Sequence, residues 1–115
     1  MTALDAIRWV DEKKHNVCCL EDKLRWLGQV EGLARGLQAR CGAEGEAGEL
    51  TLDTVLSVPA PFDVLYDRWL EAQIDFANQE YVKYNNAMAV FQTFWQEYAN
   101  HLRRAAPAVG RRQFF

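Results

Sequence analysis

The chain is short of the residues from which small chemical sites are usually built. Its 115 residues include two histidines and three cysteines. The cysteines, Cys18, Cys19 and Cys41, are odd in number and two are adjacent, which excludes the paired framework of small secreted domains and points to reduced thiols in a cytosolic setting. No stretch of 18 uncharged apolar residues occurs, and the start, MTALDAIRWVDEKKH, lacks the basic opening and apolar run of a signal peptide. The expectation is therefore a protein outside the membrane. No glycine-rich phosphate loop, nucleophile elbow or zincin motif is present, so an enzyme is not expected.

Positive charge is also scarce over most of the length. Residues 1–102 hold all 16 acids and nine of the 13 bases, a balance of -7, whereas residues 103–115 hold four arginines and no acid, a balance of +4. An acidic body argues against a nucleic-acid surface spread over the fold, because phosphate binding needs clustered Lys and Arg. Only the arm is basic.

What remains is the composition of a globular protein, half apolar and a quarter charged, long enough for one core. The reading is all-α: a small helical bundle over residues 1–104, with a long C-terminal antiparallel hairpin, a central acidic loop at residues 41–60 and a flexible C-terminal arm at residues 105–115. Helices are expected at about 3–14, 20–40, 61–78 and 80–104. The first has Leu4, Ile7 and Val10 on one side, with Thr2 as its cap. In the second, Leu20, Leu24, Leu27, Val30, Ala34, Leu37 and Cys41 recur at three and four, marking a buried face. Gly28, Gly32 and Gly36, also four apart, would admit a second helix closely. The loop segment LTLDTVLSV reads either as a short strand pair or as a helical turn from Asp53.

From residue 62 onward one continuous helix would be roughly 65 Å long, too long for so small a core to cover. The pattern marks a break. Phe62, Leu65, Trp69, Ala72 and Phe76 form a stripe whose continuation would fall on the polar Gln79, Lys83 and Asn86. The apolar series restarts out of phase as Tyr81, Tyr84, Met88, Phe91, Trp95, Tyr98 and Leu102. A turn near Asn78 and Gln79 explains the slip, since asparagine tolerates the left-handed backbone that ends helices. Pro61 and Asp63 suit the first turn of the third helix. Tyr66, Leu70 and Ile74, with Val90 and Phe94, widen the apolar zone beyond one seam and predict a subunit interface.

Candidate chemistry is sparse. His15, Cys18, Cys19 and Cys41 are the residue types of a zinc site but lack paired C-x-x-C spacing, so they read as structural thiols. No metal, cofactor or catalytic residue is assigned. Asp63 with Asp67, and Glu71 with Asp75, lie one turn apart and read as a solvated helix face interleaved with Arg68. Glu44, Glu46 and Glu49 make the loop acidic. Arg103, Arg104, Arg111, Arg112, Phe114 and Phe115 combine the residue types enriched at binding hot spots and are the candidate partner-binding group; a solubilising end and a DNA-binding arm are the alternatives.

The run VPAPFDVLYDRWLEAQIDFANQEYVKYNNAMAVFQTFWQEYA, with KLRWL at residues 23–27, resembles small proteins from the structural-gene clusters of tailed phages and prophages of Gram-positive bacteria. The likeness rests on P-A-P-[FY]-D, A-x-I-D-[FL] and Y-N-N-x-x-x-x-F. It implies a head–tail connector, or adaptor: a helical bundle forming a ring, commonly of twelve copies, beneath the portal protein. Such a ring extends the channel for packaged double-stranded DNA, without sequence-specific binding, and docks the stopper or tail-completion protein. The resemblance places the chain in the virion neck, and in host cytoplasm before assembly. It implies portal docking by the arginine and phenylalanine arm, and a channel lining by the acidic loop. A small cytosolic helical regulator that binds one protein partner is the competing expectation.

Overall fold

A computed structural model of the chain describes residues 1–42 and 49–105. Four helices succeed one another: α1 (Ala3–Lys13), α2 (Leu20–Arg40), α3 (Val64–Ala77) and α4 (Tyr81–Ala105). Among the described residues there is no β-strand beyond an isolated bridge between Thr2 and Val55. The protein is an all-α bundle ending in a long antiparallel hairpin.

Helix α1 begins where Thr2 forms a capping box: its Oγ1 accepts from the Asp5 amide at 3.2 Å, and Asp5 Oδ2 accepts from the Thr2 amide at 2.9 Å. Those bonds from Thr2 hold the Asp5 carboxyl below its ordinary range. Two further amides of the first turn, which no helix can satisfy internally, find carbonyls in another segment. Ala3 donates to Thr54 and Leu4 to Leu52, at 3.0 and 3.1 Å, and Leu56 returns a bond to the Met1 carbonyl at 2.9 Å. The segment read as a strand pair or helical turn is thus neither. It is an extended strap across the start of α1, and it buries Leu56 and Val58 in the core.

Helix α3 is the element on which every other helix packs. The molecule is only 19 Å across its shortest axis, about two helix diameters of 10 Å. One flank of α3 meets α4 through rings that step by seven residues along each helix in opposite directions: Phe62 with Tyr98, Trp69 with Phe91 and Phe76 with Tyr84, at centroid separations of 5.5, 5.1 and 5.1 Å. Each such pair adds about 0.5–1.5 kcal/mol beyond its burial. The stripes read from sequence on residues 62–76 and 84–98 form this seam.

The opposite flank departs from expectation. Tyr66, Leu70 and Ile74 are fully buried within one protomer, in a cluster with Ile7, Val10, Leu27 and Val30. They are core, not subunit interface, because α1 and α2 lie across that side of α3. The Trp69 indole N–H donates to the Trp26 carbonyl at 2.8 Å and ties α3 to α2.

Two helix ends also differ from the reading. The Ala60–Pro61 peptide is cis, and residues 61–63 form a turn ahead of Val64 rather than the first helical turn. At the other end of α3, Gln79 and not Asn78 takes the left-handed conformation, with φ 60°. The Glu80 amide reaches back to the Asp75 carbonyl and the Gln79 amide to the Phe76 carbonyl, at 2.9 and 3.0 Å. These are the paired bonds of a Schellman cap, which reverses the chain into α4.

Candidate interaction surfaces and the buried polar network

Polar groups inside the bundle are organised around Glu31, a buried residue of α2. Its Oε1 accepts from the Tyr66 hydroxyl at 2.6 Å and from Ser57 Oγ at 3.0 Å. Its Oε2 accepts from the Ser57 amide at 2.9 Å and pairs with Arg35 at 3.2 Å. The Val58 amide donates to the Tyr66 oxygen at 2.9 Å, and Gln38 Nε2 donates to Ser57 Oγ and to the Tyr98 hydroxyl, at 3.0 and 2.9 Å. One carboxylate therefore joins α2, the strap, α3 and, through Gln38, α4. Burial, reinforced by Glu31, drives the Tyr66 hydroxyl far above its ordinary pKa; burial alone dominates the rise at Tyr98. Both tyrosines stay protonated, Tyr66 donating to Glu31 and Tyr98 accepting from Gln38, so the network is structural.

The acids of α3 do not form a solvated face. Asp75 is buried and accepts from Lys14 Nζ at 2.6 Å, pinning the end of α1 to the hairpin. Asp67 is 5 % exposed, and its Oδ1 has no hydrogen-bond partner among the described residues. Burial, then the neighbouring Asp63 and Glu71 charges, against the opposing Arg68, push its carboxyl up to about 7. Arg68 turns away to Glu71 at 3.5 Å and over the Trp9 ring at 5.7 Å. A helical-wheel reading misses both acids, because it assigns carboxylates to water by default.

No group of three or more His, Cys, Asp and Glu among the described residues is placed to hold a metal ion. His15 and Cys19 are exposed, Cys18 and Cys41 half-buried, and burial raises the Cys18 thiol. No described helix is long and apolar enough to cross a membrane.

The residues assigned to partner binding divide. Arg111, Arg112, Phe114 and Phe115, and the loop acids Glu44 and Glu46, lie outside the described residues; Glu49 is exposed. Arg103 and Arg104 are exposed in the last turn of α4, where cations complement the helix dipole, and both bond to Asn100. Phe94 is half-buried against the core, whereas Val90 is 41 % exposed. An apolar surface that the reading did not single out sits at the hairpin tip: Phe76 and Tyr81, in edge contact at 5.6 Å, and Val82, 75 % exposed. Beside it a groove lined by Lys14, Glu71, Asp75, Lys83, Asn86 and Val90 runs between α1, α3 and α4. Gly28, Gly32 and Gly36 admit no helix within the protomer; nothing stands within 4 Å of where their side chains would begin.

No family model, curated protein or solved structure matches the chain. The functional reading therefore rests on its motifs and its surface.

Proposed function

We propose that this protein is a structural subunit of a phage or prophage virion, a head–tail adaptor that assembles as a ring below the portal protein and presents a platform to the stopper or tail. The observation that carries the reading is where the motif residues fall. The sequence likeness covers the entry to α3 at residues 59–63, the end of α3 at residues 72–76 and the middle of α4 at residues 84–91. Those three pieces make the hairpin, and several of their side chains have structural duties: Phe62 packs at a tilt against Tyr98, Asp75 holds Lys14, and Phe76 meets Tyr84. Others, Asn85 and Asn86, are exposed on α4, Asn86 along the groove between α1, α3 and α4. A rigid hairpin with an apolar tip at Phe76, Tyr81 and Val82, and with arginines at its far end, suits a protein that works by contacting others.

Co-expression with the portal protein from the same genome tests this. The expected outcome is a stable complex of portal with many copies of the chain, visible as an added ring by electron cryomicroscopy. Deleting residues 105–115 is expected to weaken portal attachment while leaving the helical circular-dichroism signal intact. A chain that stays unbound in the presence of assembled portal overturns the reading.

A further inference from the structure

Along α4, Lys83, Ala87, Val90, Phe94 and Glu97 recur at spacings of three and four and so stand on one line. The first three line the groove between α1, α3 and α4, a cavity of about 220 Å³; Phe94 and Glu97 carry the line on toward the end of the helix. The other charges of the groove are already matched: Lys14 to Asp75 at 2.6 Å, Arg68 to Glu71 at 3.5 Å and Lys83 to Glu80 at 2.6 Å. Val90 is apolar yet 41 % exposed, and Glu97 is exposed with no hydrogen bond or ion pair among the described residues. Read from the end of α4 toward its start, the open features are an acid and then an apolar stretch.

The segment that follows α4 has the complementary order. Residues 106–115, outside the described part of the structure, read APAVGRRQFF: adjacent arginines, then adjacent rings, and no acid. The separations agree. From Glu97 to Val90 is about 10 Å along the helix at 1.5 Å per residue, and from the arginine pair to the phenylalanine pair is about 10 Å of extended chain at roughly 3.3 Å per residue. The reach agrees as well. From Ala105 back to Glu97 is about 12 Å, and a chain that reverses at Pro107, a residue favoured in turns, covers about 13 Å by Arg111.

We propose that residues 106–115 fold back onto their own chain, antiparallel to α4, with Arg111 and Arg112 at Glu97 and with Phe114 and Phe115 over Val90 in the groove. The inference rests on the adaptor reading above, in which the same arm docks on the portal, and gives that arm a second, internal site. Charge fixes the register more than the affinity: an arm slid further along brings its arginines toward Lys14 and Lys83, and one slid back sets its rings beside Glu97. An exposed ion pair and two rings make a small contact, but the tether holds the arm at an effective concentration in the millimolar range. A contact too weak to retain a free peptide therefore suffices within the chain. While the arm is stowed it is withheld from the portal, and the apparent affinity for portal falls in proportion to the fraction of chains whose arm is free.

Nuclear magnetic resonance of the full chain tests the proposal. Against the parent, the full-length Phe114→Ala/Phe115→Ala variant should shift the resonances of Ala87, Val90 and Phe94 and leave those of α2 in place. Glu97→Arg should shift the same set, and Glu97→Arg combined with Arg111→Glu and Arg112→Glu should return it toward the parent; that recovery also shows that the substituted chain is folded. The parent spectrum should not change on tenfold dilution. An unshifted Val90 in the ring variant, shifts confined to other elements, a charge swap without recovery, or a parent spectrum that moves on dilution, which assigns the contact to the arm of a second copy, overturns the site. Portal binding is a separate readout. Val90→Asn, at an exposed position, should free the arm and bind portal at least about threefold more tightly than the parent; equal affinity overturns the withholding of the arm. The expected shifts with no portal binding by either chain refute the adaptor role and not the groove site, and portal binding without the shifts does the reverse.

Discussion

Asp67 is the residue whose surroundings least favour its charge. A carboxylate with a folded-state pKa near 7 holds a proton that the unfolded chain, titrating near 3.8, has already lost. Between those values the native state binds more protons, so this group's contribution to stability falls as pH rises from about 4 and levels off above about 7. Asp67→Asn removes that term. The expected result is equal stability of variant and parent near pH 4 and a growing advantage for the variant, on the order of 2 kcal/mol above pH 7 once solvent screening is allowed for, read from urea denaturation at matched pH. A difference that does not vary with pH would show that Asp67 is ionised in the native state.

Glu31 shows the contrasting case, a buried acid surrounded by donors. Removing its carboxylate by Glu31→Ala strands the Tyr66 hydroxyl and both Ser57 donors, and a loss of about 3–5 kcal/mol is expected for a broken buried charged network. Chemical denaturation measures it. The roles of Glu31 and Asp75 were not legible from the sequence, because both depend on groups far apart in the chain: Glu31 meets Tyr66 across 35 positions, and Asp75 meets Lys14 across 61.

At the scale of elements, the cap between α3 and α4 places a glutamine at φ 60°, where a side chain costs roughly 1 kcal/mol relative to glycine. Gln79→Gly is accordingly expected to raise stability by about 1 kcal/mol and the melting temperature by about 4 °C, provided the left-handed turn persists; a lower melting temperature would argue against that turn. The break itself was legible, since the apolar stripes before and after residues 78–79 are out of phase, and so was the seam, since Trp69 and Phe91 stand mid-stripe on both sides. Which residue turns left-handed was not legible, because the preference of asparagine is weaker than the geometry set by Phe76 and Tyr84. The second flank of α3 was misread for a related reason. Periodicity marks Tyr66, Leu70 and Ile74 as apolar, but it does not say whether α1 and α2 of the same chain or a sister copy covers them. Helix α1, with few large apolar residues of its own, gave little sign that it lies there, and Thr2, correctly read as its cap, says nothing about direction.

For the whole molecule, α3 is enclosed from two sides while α4 is packed mainly along one. Hydrogen exchange should follow that difference. Amides of residues 68–75 are expected to exchange only through global unfolding, those in the last turns of α4 at least about tenfold faster through local opening. Equal protection along both helices would show that the hairpin opens only as a unit.

Rings that interlock at every second turn also prevent α4 from sliding along α3, since a shift of one turn would set each ring against a gap. The hairpin is in effect a ruler. Its tip at Tyr81 and the root of its basic arm at Ala105 stay about 36 Å apart, and whatever is grasped at one end is held at a set height above whatever is grasped at the other.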